Sequence, residues 1–350
     1  MIKEIAEQFI GKSNSVEIKL IGGGNINKSY LVDSDIGKYI LQRINTDVFA
    51  EPSVVMSNIL KVCAHLKSKN IETLTFLKRT DADAVNDCVE NYLVKEGYFF
   101  WRCMRFIKNS GQWDCASDSK LANLTGYAFG KFILDCSDMN AILIPSIPDF
   151  HNLPNRIRVL NEIYHKGKGF IKNKSAETVR KKLLTLIGDV NCSLRNNLPD
   201  RITHNDTKIA NLLFDKDKIT VIDLDTVMAG KITDDFGDSA RSVASSAVED
   251  ETDLSKIRFD IEKFSTFAAG FSRGISDLLT MEEIKALPFA PAYVTAELAC
   301  RFLADYYNDD KYFITLYPEH NLDRARNQTI LLEDMLNKRY DIENAIKKYF

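Results

Sequence analysis

Four polar residues in the middle of the chain have the types and the spacing that phosphoryl transfer requires. Asp206 and Lys208 lie two residues apart, Asn211 comes five residues after the aspartate, and Asp223 ends the next apolar segment. A carboxylate can orient an attacking hydroxyl and accept its proton, and a lysine can steady the moving phosphoryl group. An amide oxygen and a second carboxylate are hard ligands suited to Mg²⁺. Together these residues predict phosphoryl transfer to a hydroxyl group.

The order of these residues follows the H-x-D-x-x-x-x-N pattern of the kinase catalytic loop, which a metal-binding aspartate follows. His204 opens the pattern and is expected to pack behind the loop and fix its shape. Residues 212–214 and 219–222 predict two short strands joined by a tight connection. Such a hairpin would place Asn211 and Asp223 side by side at its open end.

Other aspartates follow the catalytic pattern. Asp225 is either a second metal ligand or a structural carboxylate. The segment 235–238 (DFGD) spells the metal-binding tripeptide of protein kinases, but it lies too far along the chain and does not end a strand. Asp223 is therefore assigned the metal role, and Asp235 or Asp238 is expected to cap the helix that follows.

A glycine-rich segment lies between two predicted strands near the N-terminus. Its residues Gly22, Gly23, Gly24 and Asn25 suit a loop that folds over phosphates with its N–H groups pointing inward. The segment is not a Walker loop, because no Gly-Lys-Ser/Thr follows it. We therefore predict that these residues bind a nucleotide.

The third predicted strand departs from the general kinase pattern, which places a lysine there for the nucleotide phosphates. Gln42 and Arg43 occupy the candidate positions, and strand alternation sends them to opposite faces, so only one can contact the nucleotide. The next helix offers Ser57 and Asn58 where a glutamate partner is expected. Nucleotide binding is therefore expected to rely on the glycine-rich loop, on Lys208 and on the metal.

The secondary structure predicted for the elements that position these residues changes near residue 108. Before it, the periodicities predict three strands, a helix and two more strands, over residues 16–21, 30–32, 38–44, 53–67, 91–95 and 98–106. After it, helical spacing dominates apart from the hairpin, over residues 121–134, 153–164, 176–187 and from 256 onward. We predict a small α+β lobe over 1–108 and a mainly helical lobe over 109–350.

Composition excludes several classes of partner. The net charge is −3 with both signs interspersed, which gives no basis for binding nucleic acid. The seven cysteines are scattered and never spaced as C-x-x-C, which favours reduced thiols over a disulfide framework or a zinc site. Residues 1–10 predict an amphipathic helix rather than a secretory signal, and no apolar run approaches the roughly 20 residues that span a bilayer. We expect a cytoplasmic monomer or small homo-oligomer without a membrane partner.

With these motifs identified, the chain resembles the aminoglycoside phosphotransferase and choline kinase superfamily, and within it the bacterial N-acetylhexosamine 1-kinases. The narrower resemblance rests on segments spread over nearly the whole chain: residues 22–27 (GGGNIN), 41–45 (LQRIN), 204–208 (HNDTK), 222–228 (IDLDTVM), 298–306 (LACRFLADY) and 317–322 (YPEHNL). The resemblance implies a bilobal protein-kinase-like fold that uses ATP and Mg²⁺ to phosphorylate the anomeric hydroxyl of N-acetylglucosamine or N-acetylgalactosamine. That hydroxyl is more acidic than an ordinary alcohol, so Asp206 would suffice as its base.

The sequence leaves two alternatives open. One is a kinase of the same fold for another small hydroxyl compound, such as a different sugar, an amino alcohol or an aminoglycoside. The other is a nucleotide-binding regulator without catalysis, which the missing strand lysine suggests. The four intact residues of the catalytic pattern argue against the regulator, because a chain freed from catalysis has no chemical reason to keep all of them.

Candidate acceptor residues lie in the C-terminal half. Glu297, Arg301 and Asp305 recur at intervals of four, so a helix would place them on one face. They form either an ion-pair ladder on a solvated side or a site in which Arg301 and Asp305 reach the sugar hydroxyls and the acetamido group. The resemblance favours the site, with Tyr312 as a further candidate.

Overall fold

The computed structural model describes residues 1–21, 26–82, 88–109, 111–166, 173–216 and 218–350. These residues form two compact units. The first unit comprises Met1–Ser110, Met139–Ile147 and Leu224–Val227, and the second comprises Gly111–Asp138, Pro148–Asp223 and Met228–Phe350. Among the described helices, none is both long and apolar enough to cross a lipid bilayer.

The first unit is built on an antiparallel sheet with strand order β1-β2-β3-β5-β4. Its elements are α1 (Ile2–Ile10), β1 (Val16–Ile21), β2 (Lys28–Ser34), β3 (Gly37–Ile44), α2 (Pro52–Ser68), β4 (Val94–Glu96) and β5 (Phe99–Arg105). The predicted order of three strands, a helix and two strands is confirmed. The predicted N-terminal helix is also present, and it buries Ile5, Ala6 and Phe9.

The fourth strand differs from the prediction over residues 91–95. The chain forms a 3-10 turn at Val89–Tyr92, in which the Asn91 N–H donates to the Cys88 carbonyl at 3.1 Å. Asn91 is thereby used in a turn, and β4 starts only at Val94. The apolar spacing of this segment therefore reflects burial of the turn as well as strand pairing.

The second unit is mainly helical. Its helices are α3 (Ser119–Cys136), α4 (Leu153–Lys166), α5 (Lys174–Ile187), α6 (Ile232–Ala244), α7 (Ile261–Ile275), α8 (Met281–Ala286), α9 (Ala290–Tyr307), α10 (His320–Asn337) and α11 (Arg339–Tyr349). Two antiparallel strand pairs interrupt them, β6 (Arg201–Thr203) with β9 (Met228–Gly230) and β7 (Leu212–Asp215) with β8 (Lys218–Val221). Aspartate side chains cap α3 and α7, because Asp118 and Asp260 accept from backbone N–H groups of the first turn. The predicted α+β class is confirmed.

Helix α9 is the central helix of the second unit. Fifteen of its 18 residues are buried, and a helix buried all round lies inside a core. Its apolar residues share a core cluster with residues of α4, α5 and α10. Burial extends to Glu297 and Asp305, so the solvated ion-pair ladder that the sequence left open is excluded.

Helices α3 and α7 pack with their backbones in contact. Each carries two glycines four residues apart, Gly126 and Gly130 in α3 and Gly270 and Gly274 in α7. A Cβ atom built on Gly270 would overlap the carbonyl oxygen of Asn123, and each of the other three glycines also faces a backbone carbonyl of the opposite helix. Glycine is required at these positions because any larger side chain would force the helices apart.

Candidate active site

The predicted catalytic loop connects β6 to β7 and is anchored at His204. The imidazole packs against Phe129 and Phe132 of α3, with ring centroids 5.6 and 5.7 Å away. Its Nε2 donates to the Ile222 carbonyl at 2.9 Å, and its Nδ1 accepts from the Asp206 N–H at 3.3 Å. Burial lowers the His204 pKa, consistent with this neutral tautomer. The prediction that His204 packs behind the loop is confirmed.

Asp235 holds the same loop from helix α6. Its carboxylate accepts from the His204 N–H at 2.8 Å and from the Asn205 N–H at 2.6 Å, and burial raises the pKa of this carboxyl to about 7. Asn205 has a φ of 64°, a conformation that L-residues rarely adopt, so these bonds stabilise a strained loop.

The predicted helix cap is therefore wrong. Helix α6 begins at Ile232, and Lys231 is the residue at its N-cap. Asp235 lies inside the first turn and binds the catalytic loop, while Asp238 lies further along the helix and accepts from Arg241 at 2.8 Å. Both aspartates come too late in the helix to satisfy its first N–H groups.

The loop brings Asp206, Lys208 and Asn211 together. The Lys208 ammonium lies 3.1 Å from Asp206 Oδ2, and the Asn211 amide nitrogen donates to the same oxygen at 3.0 Å and to the Asp206 carbonyl at 2.7 Å. Desolvation opposes the ionisation of Asp206, but the charge of Lys208 outweighs it and lowers the Asp206 pKa. Asp206 is therefore an ionised carboxylate, half-buried and held by two neighbours.

The predicted hairpin is confirmed, and it places the two candidate metal ligands at its open end. Leu212 pairs with Val221, and the next residues outward are joined by a 2.9 Å bond from the Ile222 N–H to the Asn211 carbonyl. Asp223 follows at a φ of 59°. Because the Asn211 amide nitrogen donates to Asp206, its amide oxygen is the atom of that side chain that can ligate a cation. An amide oxygen and a carboxylate are donors that suit Mg²⁺.

No group of three or more His, Cys, Asp or Glu side chains in the described parts of the chain could hold a metal alone. A two-ligand site fits Mg²⁺ nonetheless, because this ion is usually held by one or two protein ligands with water and substrate phosphates.

Asp225, the third candidate metal ligand, is engaged inside the first unit. Its carboxylate lies 2.6 Å from the Arg102 guanidinium, and it accepts from the Asn27 amide at 2.6 Å. Arg102 also donates to Gln42 Oε1 at 2.9 Å. These contacts favour the structural role for Asp225 over the metal role that the sequence left equally open.

The candidate nucleotide residues fall into two groups. Gly22, Gly23, Gly24 and Asn25 lie outside the described residues. Gln42 and Arg43 point to opposite faces of β3, as strand alternation predicts: Gln42 bonds to Ser29 and Arg102, whereas the Arg43 guanidinium lies 4.3 Å over the Phe99 ring.

Arg102 supplies a buried cation that the sequence did not reveal. It lies on β5 directly opposite Gln42 of β3. That pairing joins strands separated by some 60 residues of chain, so no local pattern could have indicated it.

Arg301 and Tyr312, two of the candidate acceptor residues, are in contact. The Arg301 guanidinium lies 3.2 Å from the Tyr312 hydroxyl and 4.9 Å over the Phe150 ring. It also lies 3.7 Å from the Glu297 carboxylate. Burial alone would lower the Arg301 pKa, but the neighbouring Tyr312 and Glu297, with a smaller effect of the Asp206 charge, raise it.

Asp305 does not fit the predicted contact with the acceptor. Its two oxygens accept from the backbone N–H groups of Lys311, Tyr312 and Phe313 at 2.8–2.9 Å, and from the Asn321 amide at 3.0 Å. These donors come from the chain itself, so Asp305 shapes the connection that carries Tyr312. The spacing of four residues correctly predicted a shared helix face but could not distinguish these roles.

Comparison with known proteins agrees with this arrangement. The model of the family described as "APH: Phosphotransferase enzyme family" matches residues 17–262. The chain therefore belongs to this phosphotransferase enzyme family.

Solved structures support the same fold. A microcompartment-associated aminopropanol kinase is 16% identical, with 97% of this chain and 98% of that chain covered and a TM-score of 0.60. An amicoumacin kinase in complex with AMP-PNP and Ca²⁺ is 14% identical, with 97% and 93% covered and a TM-score of 0.58. The choline kinase of Cryptosporidium parvum is 15% identical, with 95% and 97% covered and a TM-score of 0.56. At these identities the likeness shows a shared fold.

Proposed function

We propose that this phosphotransferase moves the γ-phosphoryl group of ATP to the anomeric hydroxyl of an N-acetylhexosamine and releases the sugar 1-phosphate. The observation that carries the proposal is the held carboxylate of Asp206, with Lys208 and Asn211 in direct contact. The amicoumacin kinase, whose fold is similar, was solved with AMP-PNP and Ca²⁺, which supports a nucleotide and a divalent cation as partners here.

Each residue of the loop has a distinct task in this reaction. Asp206 is ionised and accepts a hydrogen bond from the acceptor hydroxyl, which it orients for attack and deprotonates as the phosphoryl group moves. Lys208 keeps Asp206 ionised and offers its remaining N–H groups to the transferring phosphoryl oxygens. Asn211 and Asp223 would hold Mg²⁺, which when bound would neutralise charge on the nucleotide phosphates.

The nucleotide is assigned to residues of the first unit. Gly22, Gly23, Gly24 and Asn25 bind the phosphates through backbone N–H groups, and Gln42 faces the nucleotide rather than Arg43. Arg102, which is paired with Asp225, donates a hydrogen bond to Gln42 Oε1 and holds that side chain in place. Asp225 is in this proposal a structural carboxylate, which leaves the metal to Asn211 and Asp223.

The acceptor site supports a neutral substrate. Arg301 and Arg156 both approach one carboxylate, that of Glu297, at 3.7 and 3.3 Å. Asp305 is occupied by backbone donors. A cationic amine would therefore meet positive charge at Arg301, whereas the acetamido carbonyl and the hydroxyls of a sugar can accept hydrogen bonds from it.

The second candidate is a kinase for an amino alcohol. It is favoured by the similar folds of the aminopropanol kinase and the choline kinase. We place the protein in the cytoplasm in either case, because all seven cysteines are free thiols.

A single assay separates these candidates. The protein is incubated with ATP, Mg²⁺ and one acceptor at a time, and the products are identified by phosphorus NMR. The acceptors are N-acetylglucosamine, N-acetylgalactosamine, glucose, galactose, choline, 1-aminopropan-2-ol and kanamycin. A sugar 1-phosphate from an acetamido sugar is expected. Transfer only to choline, the amino alcohol or kanamycin would overturn the acceptor assignment.

The Asp206→Asn variant tests the chemistry in the same assay. Its turnover should fall by about 10²–10⁴-fold, as for the loss of a general base, while nucleotide binding measured by calorimetry stays close to that of the original chain. Unchanged turnover would remove Asp206 from the role of base.

A further inference from the structure

His151 lies between the catalytic loop and helix α9 in the second unit. Its ring is 5% exposed. Nδ1 lies 2.7 Å from Glu297 Oε2, and Nε2 lies 2.9 Å from the Asn205 carbonyl oxygen. The backbone around the histidine is fixed as well, because the Tyr293 hydroxyl donates to the His151 carbonyl and accepts from the Leu153 N–H. The imidazole therefore bridges two separate elements.

Both partners of the ring are hydrogen-bond acceptors. A neutral imidazole carries one N–H group and can donate to only one of them, whereas an imidazolium donates from both nitrogens. The geometry thus requires the charged form. Burial alone would lower the His151 pKa, but the Glu297 charge reverses this and raises it to about 9.

Charged groups lie around the bridge on several elements, and the charges of Asp234 and Asp238 add to that of Glu297 in raising the His151 pKa. The groups that act on His151 or on Glu297 are Glu297 and Arg301 of α9, Asp234, Asp235 and Asp238 of α6, Arg156 of α4, and Arg195. Arg195 and Arg241 in turn pair with Asp234 and Asp238. This environment supports a positive charge on the imidazole.

The bond to Asn205 acts directly on the neighbouring Asp206. A peptide group is planar, so fixing the Asn205 carbonyl also fixes the N–H and Cα of Asp206. Asn205 is held at its other end by Asp235, through a 2.6 Å bond from its N–H. The strained residue before the predicted base is thus clamped on both sides.

Glu297 extends the bridge to the predicted acceptor site. One of its oxygens contacts His151, and the other lies 3.3 Å from Arg156 and 3.7 Å from Arg301. The same carboxylate therefore joins the arginine assigned to the acceptor with the loop that carries Asp206.

We propose that His151 is a positioning residue: as an imidazolium it sets the Asn205–Asp206 peptide so that the Asp206 carboxylate meets the acceptor hydroxyl, and Glu297 links that orientation to Arg301. The inference rests on the proposed role of Asp206 as base. In this inference His151 contacts neither substrate and acts on the reaction through the catalytic loop.

Two substitutions separate the bonds of the ring. The amide nitrogen of His151→Gln reaches the position of Nε2 and keeps a donor for the Asn205 carbonyl, whereas that of His151→Asn reaches the position of Nδ1 and keeps only the contact with Glu297. We expect kcat to fall a few-fold in His151→Gln and about 100-fold in His151→Asn, the effect of a small misplacement of a catalytic group. KM for ATP should change little in both variants.

The pH profile and a control complete the kinetic test. The original chain should lose kcat above about pH 9, where the imidazolium deprotonates, and His151→Gln should lack that step because its amide does not titrate. His165→Gln, at an exposed histidine of α4, should behave as the original chain. Equal kcat in the two His151 variants, or a loss confined to KM for ATP, would overturn the inference.

Nitrogen NMR of the original chain decides the matter if the variants fail to fold. Both ring nitrogens of one of the five histidines should be protonated at neutral pH and stay so until about pH 9. Five neutral histidines at that pH would contradict the inference alone. An imidazolium in a chain that phosphorylates none of the acceptors would contradict the proposed function instead.

Discussion

Arg301 is a guanidinium held mostly out of water, 13% exposed, between a carboxylate and a tyrosine hydroxyl. Arg301→Ala should raise KM for the acceptor by about 10–100-fold, because a hydrogen bond to a charged group contributes about 1.5–3 kcal/mol. KM for ATP should change much less, and steady-state kinetics with each substrate varied in turn measures both.

Arg258→Ala is the matched control, since it removes a solvent-exposed arginine of the same unit. Tyr312→Phe should shift acceptor KM in the same direction as Arg301→Ala, but less, because only one partner of the guanidinium is lost. An equal rise in both Michaelis constants for Arg301→Ala would return the residue to a purely structural role.

Arg102 and Asp225 form a buried ion pair, with side chains 2% and 4% exposed. Arg102→Met should lower the free energy of unfolding by about 3–5 kcal/mol, because it leaves the Asp225 carboxylate buried without its charged partner. Urea unfolding followed by tryptophan fluorescence measures the loss.

The double variant Arg102→Met, Asp225→Leu should recover much of that stability, since replacing both charges with apolar side chains removes the unpaired carboxylate. A double variant no more stable than the single one would show that the unpaired Asp225 carboxylate is not the cause of the loss.

The sequence was sufficient to predict those site residues whose partners lie close to them along the chain. The catalytic loop is contiguous, so the types and spacing of Asp206, Lys208 and Asn211 were enough to bring them together. Arg102 and His151 act through partners more than 50 residues away, and no spacing rule connects such pairs. The backbone donors of Asp305 could not be predicted, because they depend on the conformation of the connection after α9.

Among the secondary-structure elements, the helix pair α3 and α7 leaves no room for larger side chains at its four glycines. Gly270→Ala should destabilise the second unit strongly, because the new methyl group would overlap the Asn123 carbonyl, a backbone atom that cannot move aside. A fall in melting temperature of several degrees, measured by calorimetry, is expected.

Ala268→Gly offers the opposite change in the same helix, at a buried position where a small side chain is lost. It should cost roughly 0.5–1 kcal/mol from helix propensity, with a further loss from packing. A Gly270→Ala variant as stable as the original chain would show that the helices can separate without penalty.

Helices and strands were predicted well where one periodicity ran without interruption, as in α3, α4 and the hairpin. The shift of β4 arose because apolar spacing does not distinguish a buried 3-10 turn from a strand. The backbone contact of α3 with α7 does leave a signal in the sequence, since both helices carry glycines four residues apart.

For the whole molecule, the buried His151 makes stability depend on pH. Its pKa is raised from 6.5 to about 9 in the folded state, so its contribution is fully present below pH 6.5 and is lost as the pH rises through 9. At 1.36 kcal/mol per pKa unit, the loss is on the order of 3 kcal/mol. The free energy of unfolding in urea should therefore fall between pH 6 and 9.5.

Asp235 acts in the same direction at lower pH. Its raised pKa of about 7 means that the folded state binds a proton more tightly than the unfolded state, so stability is lost as the pH rises from about 4 to 7. In His151→Gln the fall above pH 7 should shrink. An unchanged slope in that variant would assign the alkaline loss to other groups.

The α+β class could be predicted because strand and helix periodicities are separated along the chain. The full set of residues in the first unit could not be predicted, because residues 139–147 and 224–227 belong to it although they lie within the helical part of the sequence. The second of these segments contains Asp225, which pairs with Arg102. This long-range contact follows directly after the catalytic pattern that ends at Asp223.

The close contact of α3 with α7 also determines where this sequence can vary. His204 rests on Phe129 and Phe132 of α3, and the glycines fix that helix against its neighbour. Laboratory evolution toward a new acceptor should therefore accumulate changes in the connection over residues 308–319, which carries Tyr312. The four glycines of the helix pair should stay invariant in every active descendant.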